Sequence, residues 1–402
     1  MNRKQTVRLI WLCSIAYFVS YVCRINLAAT LVEVVDSGFA STRTAALALT
    51  LSSLTYGAGQ ILSGWLGDRF KPQHMLVCGF AITGAVNLCV ALLPTGALLP
   101  PLWAVNGFAQ SLMWPPLVVI MSGCLNETDY QKAVVRVSWG SSFGTIAVYL
   151  LAPLLLPLFG LRSVFVLGSA AALVMLAVWA WQFGHTYAAF MPARGAEEKS
   201  STAKAMPRIA FVLIPLIMIA IMLQGSLRDG VSNWMPTYMS ETFGLSSSLS
   251  ILTGVILPLF SILSFQVTSV IHQRWLRNDM LCAAVIFGTG CLSALVLYLT
   301  NASSIILSVM CLALLVGSMH GVNLVLICFT PRQFARFGRT GLISGVLNSA
   351  TYAGSALSGY GMALFSESFG WHATIGLWAI IALCGLLLCS LLRGRWDAFT
   401  RL

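Results

Sequence analysis

Charged residues are scarce in this sequence. Asp, Glu, Lys and Arg make up 9% of 402 residues, whereas 58% are hydrophobic and the mean hydropathy is +0.86. Soluble domains carry about 25% charged residues, so a chain this poor in charge cannot cover a water-exposed surface. We therefore exclude a soluble enzyme, a nucleic-acid-binding domain and a disordered scaffold. The composition predicts a protein that crosses a membrane many times.

The sequence also lacks any C-x-x-C pair, although it contains 11 cysteines. Most of them lie within apolar runs, as expected for small buried side chains. Metal-type spacing of His, Cys, Asp and Glu is missing, and the 34 glycines fit helix packing better than a phosphate-binding loop. These absences argue against a membrane enzyme, and we expect no metal and no cofactor.

Twelve apolar segments are each long enough for a helix that crosses the bilayer core, which needs about 20 residues. They lie near 9–32, 44–67, 73–93, 99–122, 133–156, 162–183, 209–228, 248–271, 279–300, 303–327, 339–363 and 369–392. The predicted fold class is therefore an all-α membrane protein with 12 transmembrane helices.

The longest polar stretch, 184–208, divides these segments into two sets of six and has the small and charged residues of a cytoplasmic linker. The predicted domains are an N-terminal six-helix bundle at 1–183, the linker, and a C-terminal six-helix bundle at 209–402. A weak internal repeat relates the halves, because Arg24 and Arg228 each lie late in the first predicted helix of their half.

Basic residues fall almost entirely on one side of the predicted membrane. All but four of the 23 Lys and Arg residues lie in the termini, the linker and the loops of that side. Arg43 and Arg162 lie on the opposite side, and Arg24 and Arg228 lie inside spans. Because cytoplasmic loops are enriched in Lys and Arg, we predict cytoplasmic termini in a bacterial inner membrane. The net charge of +11 follows from this topology and requires no nucleic acid.

Arg24 and Arg228 are therefore candidate ligand-binding residues. A guanidinium near the bilayer centre costs about 2.5–3.5 kcal/mol on insertion scales and usually faces a bundle interior or an aqueous cavity. Arg binds phosphate or carboxylate through two parallel hydrogen bonds. Pseudo-twofold symmetry predicts that both face one central cavity and bind an anion with about two charges. The alternative is snorkelling or a structural ion pair, which for Arg228 would involve Asp229.

The positions of the acidic residues favour anion exchange over proton coupling. The 12 Asp and Glu residues lie in loops or at predicted span ends, whereas proton symporters usually carry a titratable carboxylate within the membrane. Only Asp229 lies close to the expected cavity. His320, inside the tenth span, either titrates, binds substrate or packs as a neutral side chain.

The loop after the second span reads GWLGDRFKPQ, from Gly64 to Gln73. It is similar to the G-x-L-x-D-R-x-G-[RK] loop of major facilitator transporters. Asp68 is expected to cap or pair near a helix end, with Arg69 on the cytoplasmic side. Such a loop would hold the inward gate together in one transport state. The equivalent loop in the second half, at His272–Arg274, has lost the Asp.

Further stretches resemble the organophosphate:phosphate antiporters, a major facilitator family that includes bacterial glycerol-3-phosphate and hexose-phosphate transporters. They are YVCRINLAA (21–29), NGFAQSLMWPP (106–116), LRDGVSNWMPTYM (227–239) and FGWHATIGLW (369–378). The resemblance implies two pseudo-symmetric six-helix bundles that hold phosphate between Arg24 and Arg228.

The resemblance also implies roles for aromatic residues and prolines in two spans. Trp114, Pro115 and Pro116 would shape the fourth span, and Trp234 and Pro236 the outer end of the seventh. Anchoring at the membrane interface is the alternative for Trp234.

Two positions depart from the family pattern. Gln60 stands where the family often has Lys in the second span, and Ser142 stands in place of a cavity His in the fifth. Either the substrate is less charged than a sugar phosphate, such as a phosphonate or a carboxylate, or His320 compensates. Other polar groups that could contact the organic part of the substrate are Tyr17, Tyr21, Asn26, Gln110 and Asn348.

The predicted function is secondary active exchange of a small organic anion, a phosphate ester or phosphonate, for inorganic phosphate by alternating access. The expected partners are these anions and membrane lipid, and the chain is expected to be a monomer. One alternative is a proton-coupled organic-anion or drug transporter in which Asp229 or His320 titrates. The other is a non-transporting membrane sensor of phosphorylated ligands.

Overall fold

The computed structural model describes residues 2–183, 187, 206–245, 253, 256–300 and 303–401. The helices are α1 Arg3–Ala29, α2 Leu31–Asp36, α3 Thr42–Arg69, α4 Pro72–Leu92, α5 Leu99–Ser111, α6 Trp114–Cys124, α7 Glu127–Phe159, α8 Arg162–Gln182, α9 Arg208–Phe243, α10 Ile256–Arg274, α11 Asp279–Thr300, α12 Ile305–Asn323 and α13 Thr340–Arg401. A π-helical stretch, Leu324–Phe329, and a 3-10 helix, Thr330–Phe337, follow α12. The described residues contain no strand, and the predicted all-α class is confirmed.

Eleven helices of the described part of the chain are long and apolar enough to cross a membrane. Ten of them overlap the first ten predicted spans, and Phe365–Arg401 overlaps the twelfth. The predicted eleventh span coincides with the first part of α13, which continues as a helix up to a break at Gly370. The predicted linker, 184–208, lies outside the described residues except at 187 and 206–208, as does most of 248–255.

The end near residue 228 that the apolar run predicted for the seventh span was wrong, whereas the family resemblance had placed Trp234 and Pro236 within this span. Helix α9 continues to Phe243, about four turns further. The apolar run stops at Arg228, but the helix continues because the polar side chains that follow find partners along it. Arg228 bonds to Asp229, and the hydroxyl of Ser232 donates to the carbonyl of Arg228. Arg228 therefore lies in the middle of its helix.

Close Cα packing groups the chain into two compact units. The first comprises Met1–Lys204 with Phe334–Val346, and the second comprises Ala205–Gln333 with Leu347–Leu402. Residues 334–346 join the first unit because the start of α13 packs against the backbone of α3. A Cβ atom added to Gly341 would lie only 2.6 Å from the carbonyl oxygen of Gly64.

In the first unit, small residues bring three pairs of spanning helices together. The first and fifth spans meet where a Cβ on Gly140 would lie 2.6 Å from the carbonyl oxygen of Ser14. The second and fourth spans meet at Gly107, which packs against the backbone of α3. The third and sixth spans are joined by the hydroxyl of Ser169, which donates to the carbonyl of Gly84 at 2.9 Å.

The second unit repeats this pairing with its own residues. Its first and fifth spans meet where Gly225 packs on the backbone of Thr351. Its second and fourth spans are joined by Ser264, whose hydroxyl donates to the carbonyl of Gly317 at 2.5 Å. Its third and sixth spans meet at Gly385, which faces α11. Each half thus uses the same helix pairs, so the weak sequence repeat corresponds to a structural one.

A Phe-Gly pair separates the fifth and sixth spans of each half. Gly160 follows Phe159 with φ 71° and ψ 177°, and Gly370 follows Phe369 with φ 77° and ψ 171°. These positive φ angles favour glycine over residues with a side chain. The two glycines therefore end equivalent helices in the same way.

Candidate functional site

Arg24 lies inside α1 and contacts two tyrosine rings. Its guanidinium carbon lies 3.8 Å from the ring centroid of Tyr56 on α3 and 5.6 Å from that of Tyr21. Stacking on an aromatic face stabilises a cation by about 0.5–2 kcal/mol, more where water is excluded. Because the N–H groups of Arg lie in the guanidinium plane, this contact uses the flat face and is compatible with in-plane binding of an oxyanion.

An aromatic cluster continues from this arginine to the start of α6. The ring of Tyr17 lies 5.1 Å from Tyr21 and 5.2 Å from Trp114, measured between centroids. Tyr17 is 9% exposed and Trp114 is 3% exposed. Four predicted site residues, Arg24, Tyr17, Tyr21 and Trp114, are thus brought together.

The fourth span is broken between α5 and α6. Leu112 and Met113 form a turn, and α6 begins at Trp114 with Pro115 and Pro116 in its first turn. Proline has no N–H to donate to the preceding turn and is tolerated at helix starts. The local sequence therefore explains the break in the fourth span.

Asn26 and Gln110, which we predicted as possible substrate contacts, lie in a buried polar network. The amide of Asn26 donates to the side-chain oxygen of Asn87 at 2.7 Å, and that of Gln110 donates to the hydroxyl of Thr83 at 3.2 Å. Both residues are at most 2% exposed. Their interactions tie α1 and α5 to α4 and thereby fix the position of the helix that carries Arg24.

The two positions that depart from the family pattern are also buried. Gln60 is 0% exposed and Ser142 is 8% exposed. Gln60 lies one helical turn beyond Tyr56 on the same face of α3. Its backbone carbonyl packs directly against Gly345 at the start of α13, where any Cβ atom would collide with it.

Asp68 caps the N-terminus of α13. Its two carboxylate oxygens accept hydrogen bonds from the backbone N–H groups of Gly341 and Leu342, each at 2.7 Å. Negative charge at a helix N-terminus is favourable, and charge-assisted bonds are the stronger kind. The neighbouring Arg69 instead lies with its guanidinium carbon 4.1 Å from the ring centroid of Trp65. The two hydrogen bonds from Gly341 and Leu342 agree with the prediction that Asp68 caps or pairs near a helix end.

We expect Asp68→Asn to loosen the start of α13. An amide offers only one acceptor oxygen, so one of the two N–H groups loses its partner at a cost of about 1.5–3 kcal/mol. Hydrogen exchange at Gly341 and Leu342 should accelerate by at least about tenfold, as measured by mass spectrometry on the purified protein.

Arg69→Gln is the matched control, because it removes a charge from the adjacent position without touching these bonds. Exchange at the two amides should stay at the wild-type rate. Equal acceleration in both variants would show that the loop charge, and not the cap, holds this segment.

Arg228 forms a two-point ion pair with its neighbour. Its Nε lies 2.6 Å from Oδ1 of Asp229 and one terminal nitrogen lies 2.9 Å from Oδ2. The hydroxyl of Ser355 on α13 donates to the same Oδ2 and to the carbonyl of Thr351. The side chains of Arg228 and Asp229 are 16% and 28% exposed. The ion pair that we considered as the alternative for Arg228 is therefore present.

His320 lies on α12 in the same unit, and its ring lies edge-on to that of Phe265 at 5.6 Å between centroids. The amide of Gln224 donates to the carbonyl of Met319 at 3.0 Å and so fixes α9 against α12.

Asn348, Trp234 and Pro236 are spread along α13 and α9. Asn348 is 8% exposed and lies one helical turn before Thr351. Pro236 lies inside α9, and Trp234 is partly buried. Tyr238, a little further along, is 0% exposed and packs at 5.5 Å from the ring of Trp371. This end of α9 is thus packed against protein at Tyr238.

Sequence analysis missed Tyr56 and Ser355. Both could have been found from helical spacing: Tyr56 precedes Gln60 by four residues, and Ser355 follows Asn348 by seven, so each shares a helix face with a predicted residue. The bonding of Asp229 to Ser355 could not have been found in this way, because 126 residues separate them.

Comparison with known proteins supports the motif evidence. A sequence profile of the Major Facilitator Superfamily matches residues 13–359. The chain is 22% identical to a "Probable hexose phosphate transport protein" of Chlamydia muridarum, over 91% of this chain and 85% of the relative. It is 23% identical to the "Glycerol-3-phosphate transporter" of Bacillus subtilis, over 96% and 91%. It is 22% identical to the "Membrane sensor protein UhpC" of Salmonella typhimurium, over 95% and 88%.

Solved structures share the fold at lower identity. The transporter FucP, crystallised in an outward conformation, superposes with a TM-score of 0.77 at 12% identity, covering 97% of this chain and 99% of FucP. The proton:xylose symporter XylE gives 0.75 at 13%, covering 98% and 96%. The resemblance predicted from the motifs is confirmed by the sequence relatives. Because the profile covers most of the sequence, this multi-pass membrane protein belongs to the major facilitator superfamily.

Proposed function

We propose that this transporter exchanges a small organic anion, a phosphate ester or a phosphonate, for inorganic phosphate by alternating access. The observation that carries the proposal is the presence of a partly buried arginine inside the first spanning helix of each half. Arg24 occupies α1 and Arg228 occupies α9, and both side chains are of intermediate exposure. Because such charges are costly in a membrane segment, two of them at equivalent places support a ligand-binding role.

The surroundings of Arg24 suit an anion. Its guanidinium is held by the tyrosine stack, which restricts the side chain before the ligand arrives and so lowers the entropy cost of binding. Tyr17, Tyr21 and Trp114 form an apolar wall with phenol and indole edges, as expected for a pocket that binds the organic part of a substrate.

The surroundings of Arg228 show that its guanidinium already binds an oxyanion in the two-point manner. The carboxylate of Asp229 occupies this position, and a phosphate group presents oxygens of similar spacing. We propose that Asp229 is an internal counter-ion, which neutralises Arg228 while substrate is absent and releases or shares it when the anion binds.

The choice of a small substrate follows from the number of cations. Gln60 and Ser142 supply neutral hydrogen-bonding groups where the related family often supplies Lys and His. Because the chain lacks these two cations, we propose a substrate that carries one phosphate or phosphonate group and not several such groups. The names of the relatives, which are transporters of hexose phosphate and glycerol-3-phosphate, support the same substrate class.

A second candidate function is proton-coupled transport of an organic anion. The ion pair of Arg228 and Asp229 favours it, because a titratable carboxylate lies beside the cation that would bind substrate. An anion that displaced Asp229 from Arg228 would leave a partly buried carboxylate, which favours proton uptake.

Proteoliposome uptake distinguishes these functions. We expect uptake of labelled phosphate or glycerol-3-phosphate to be driven by phosphate trapped inside, with no pH gradient imposed, at a rate at least about tenfold above that of vesicles without internal phosphate. Strict dependence on an inward proton gradient would favour the second function. Ligand-induced thermal stabilisation without measurable flux in either condition would indicate a sensor.

A further inference from the structure

A polar cavity of about 630 Å³ lies at the N-terminal end of α1 in the first unit. It is formed by the first two turns of α1, the junction between α6 and α7, and the first turns of α7. Three cations line it, Arg3, Lys132 and Arg136, against one carboxylate, Asp129. None of the residues placed in the transport site lines this cavity.

The carboxylate in the cavity wall is engaged in the cap of α7. Oδ2 of Asp129 accepts from the amide of Asn126 at 2.9 Å, while the backbone N–H of Asp129 donates to Oδ1 of Asn126 at 2.8 Å. Lys132 and Arg136 lie one turn apart on one face of α7, where like charges repel each other. An anion between them would relieve this repulsion.

An apolar groove of about 450 Å³ lies on a different side of α1, where that helix meets α8. Arg8 lies at its polar end, and its wall includes Trp11, Ile15 and Trp181, which are 55%, 49% and 66% exposed. Exposed tryptophans near the end of a spanning helix are typical of the membrane–water interface.

Arg136 connects the cavity with the groove. Its guanidinium carbon lies 5.9 Å from the ring centroid of Trp11, which lines the groove. The contact between Arg136 and Trp11 therefore places the cation cluster beside the aromatic wall of the apolar groove. An amphiphile with an anionic head and an acyl chain matches both features, whereas a soluble phosphate matches only the cavity.

We propose that an anionic phospholipid of the leaflet predicted to be cytoplasmic binds here. Its phosphodiester contacts Lys132 and Arg136, with Arg3 on the facing helix, and one acyl chain lies along Trp11 and Trp181. Basic pockets at helix ends on this side of a membrane bind anionic head groups, and each Lys or Arg contributes about 1 kcal/mol near the surface.

Native mass spectrometry of the purified full chain, titrated with phosphatidylglycerol or phosphatidylcholine, tests the proposal. Wild-type protein should retain phosphatidylglycerol in preference to phosphatidylcholine. The double variant Lys132→Gln/Arg136→Gln should bind phosphatidylglycerol roughly 30-fold more weakly, which corresponds to about fivefold for each cation. Lys132→Arg/Arg136→Lys preserves the charge and should stay within about threefold of wild type.

The matched control is Arg393→Gln/Arg395→Gln, which removes two exposed charges from the second unit and should leave lipid retention unchanged. Equal losses in the control would overturn the proposal, because they would show attraction to net charge alone. A second outcome would also overturn the proposal. In an Arg24→Ala background, inorganic phosphate would bind in a way that depends on Lys132 and Arg136, while phosphatidylglycerol would bind no more tightly than phosphatidylcholine.

Discussion

Arg24→Ala should abolish anion transport while leaving folded protein in the membrane. In the proposed site the guanidinium makes two charge-assisted hydrogen bonds to the ligand, each contributing about 1.5–3 kcal/mol. Their loss should lower uptake into proteoliposomes by at least about 100-fold. Size-exclusion chromatography of the purified variant checks that the helical bundle is retained.

Arg24→Lys tests whether anion binding needs the shape of the guanidinium or only its positive charge. Lysine keeps the positive charge, but it cannot form two parallel hydrogen bonds and presents no flat face to Tyr56. We expect a loss of about tenfold in the apparent affinity for phosphate, seen as a higher KM for uptake.

Arg43→Gln provides the control for these variants. Arg43 is exposed in the first turn of α3, on the side opposite to the termini in the predicted topology. Its removal changes the net charge by the same amount and should leave uptake within about twofold of wild type. Uptake by folded Arg24→Ala at more than about one third of the wild-type rate would exclude anion binding by Arg24.

The fold could largely be predicted because bilayer thickness imposes a length on every apolar run. That constraint located the first ten spans and the twelfth. It failed at α9, where the apolar run stops at Arg228 but the helix does not. Hydropathy reports the solvent that a segment would prefer, whereas helix continuity depends on whether its polar side chains find partners.

The candidate site could be predicted only in part. Charge inside an apolar segment identified Arg24 and Arg228 without any knowledge of their surroundings. Their partners differ in kind: Arg24 stacks on Tyr56, whereas Arg228 bonds to Asp229. Spacing along the chain does not specify such differences, because they arise from which helix faces meet.

The cap on α13 illustrates the same limit. Asp68 was recognised from its loop motif as a residue that caps or pairs. Its acceptor groups bind the amides of Gly341 and Leu342, which are more than 270 residues away in the chain. A local pattern can identify a residue that needs a partner, but only tertiary packing determines which partner it has.

Asp229→Asn should decrease net uptake much more than it decreases exchange. Slow net uptake by vesicles without internal phosphate requires the carrier to return empty, and we propose that Asp229 then neutralises Arg228. Asparagine cannot do so, and a partly buried arginine is left without its counter-ion. Removing one partner of a buried pair costs about 3–5 kcal/mol. The lower value applies here, since the two side chains are 16% and 28% exposed.

This cost corresponds to a roughly 100-fold decrease in net uptake by vesicles that contain no phosphate. Exchange is affected less, because a bound anion neutralises Arg228 in both directions of the cycle. We expect phosphate-for-phosphate exchange to fall by less than about tenfold. If Asp229 also carries a coupled proton, the variant additionally loses any stimulation of uptake by an imposed pH gradient.

Ser355→Ala is the matched control, since it removes one hydrogen bond to Asp229 but leaves the ion pair in place. This bond to a carboxylate is charge-assisted and contributes about 1.5–3 kcal/mol, but Arg228 keeps its counter-ion, so net uptake should fall less than in Asp229→Asn. A parallel decrease of exchange and net uptake in folded Asp229→Asn would show that Asp229 acts on substrate binding itself. Unchanged net uptake would show that the empty carrier does not need Asp229. The proposal that Asp229 is an internal counter-ion would then be wrong, whereas the proposal that Arg24 binds the anion would be unaffected.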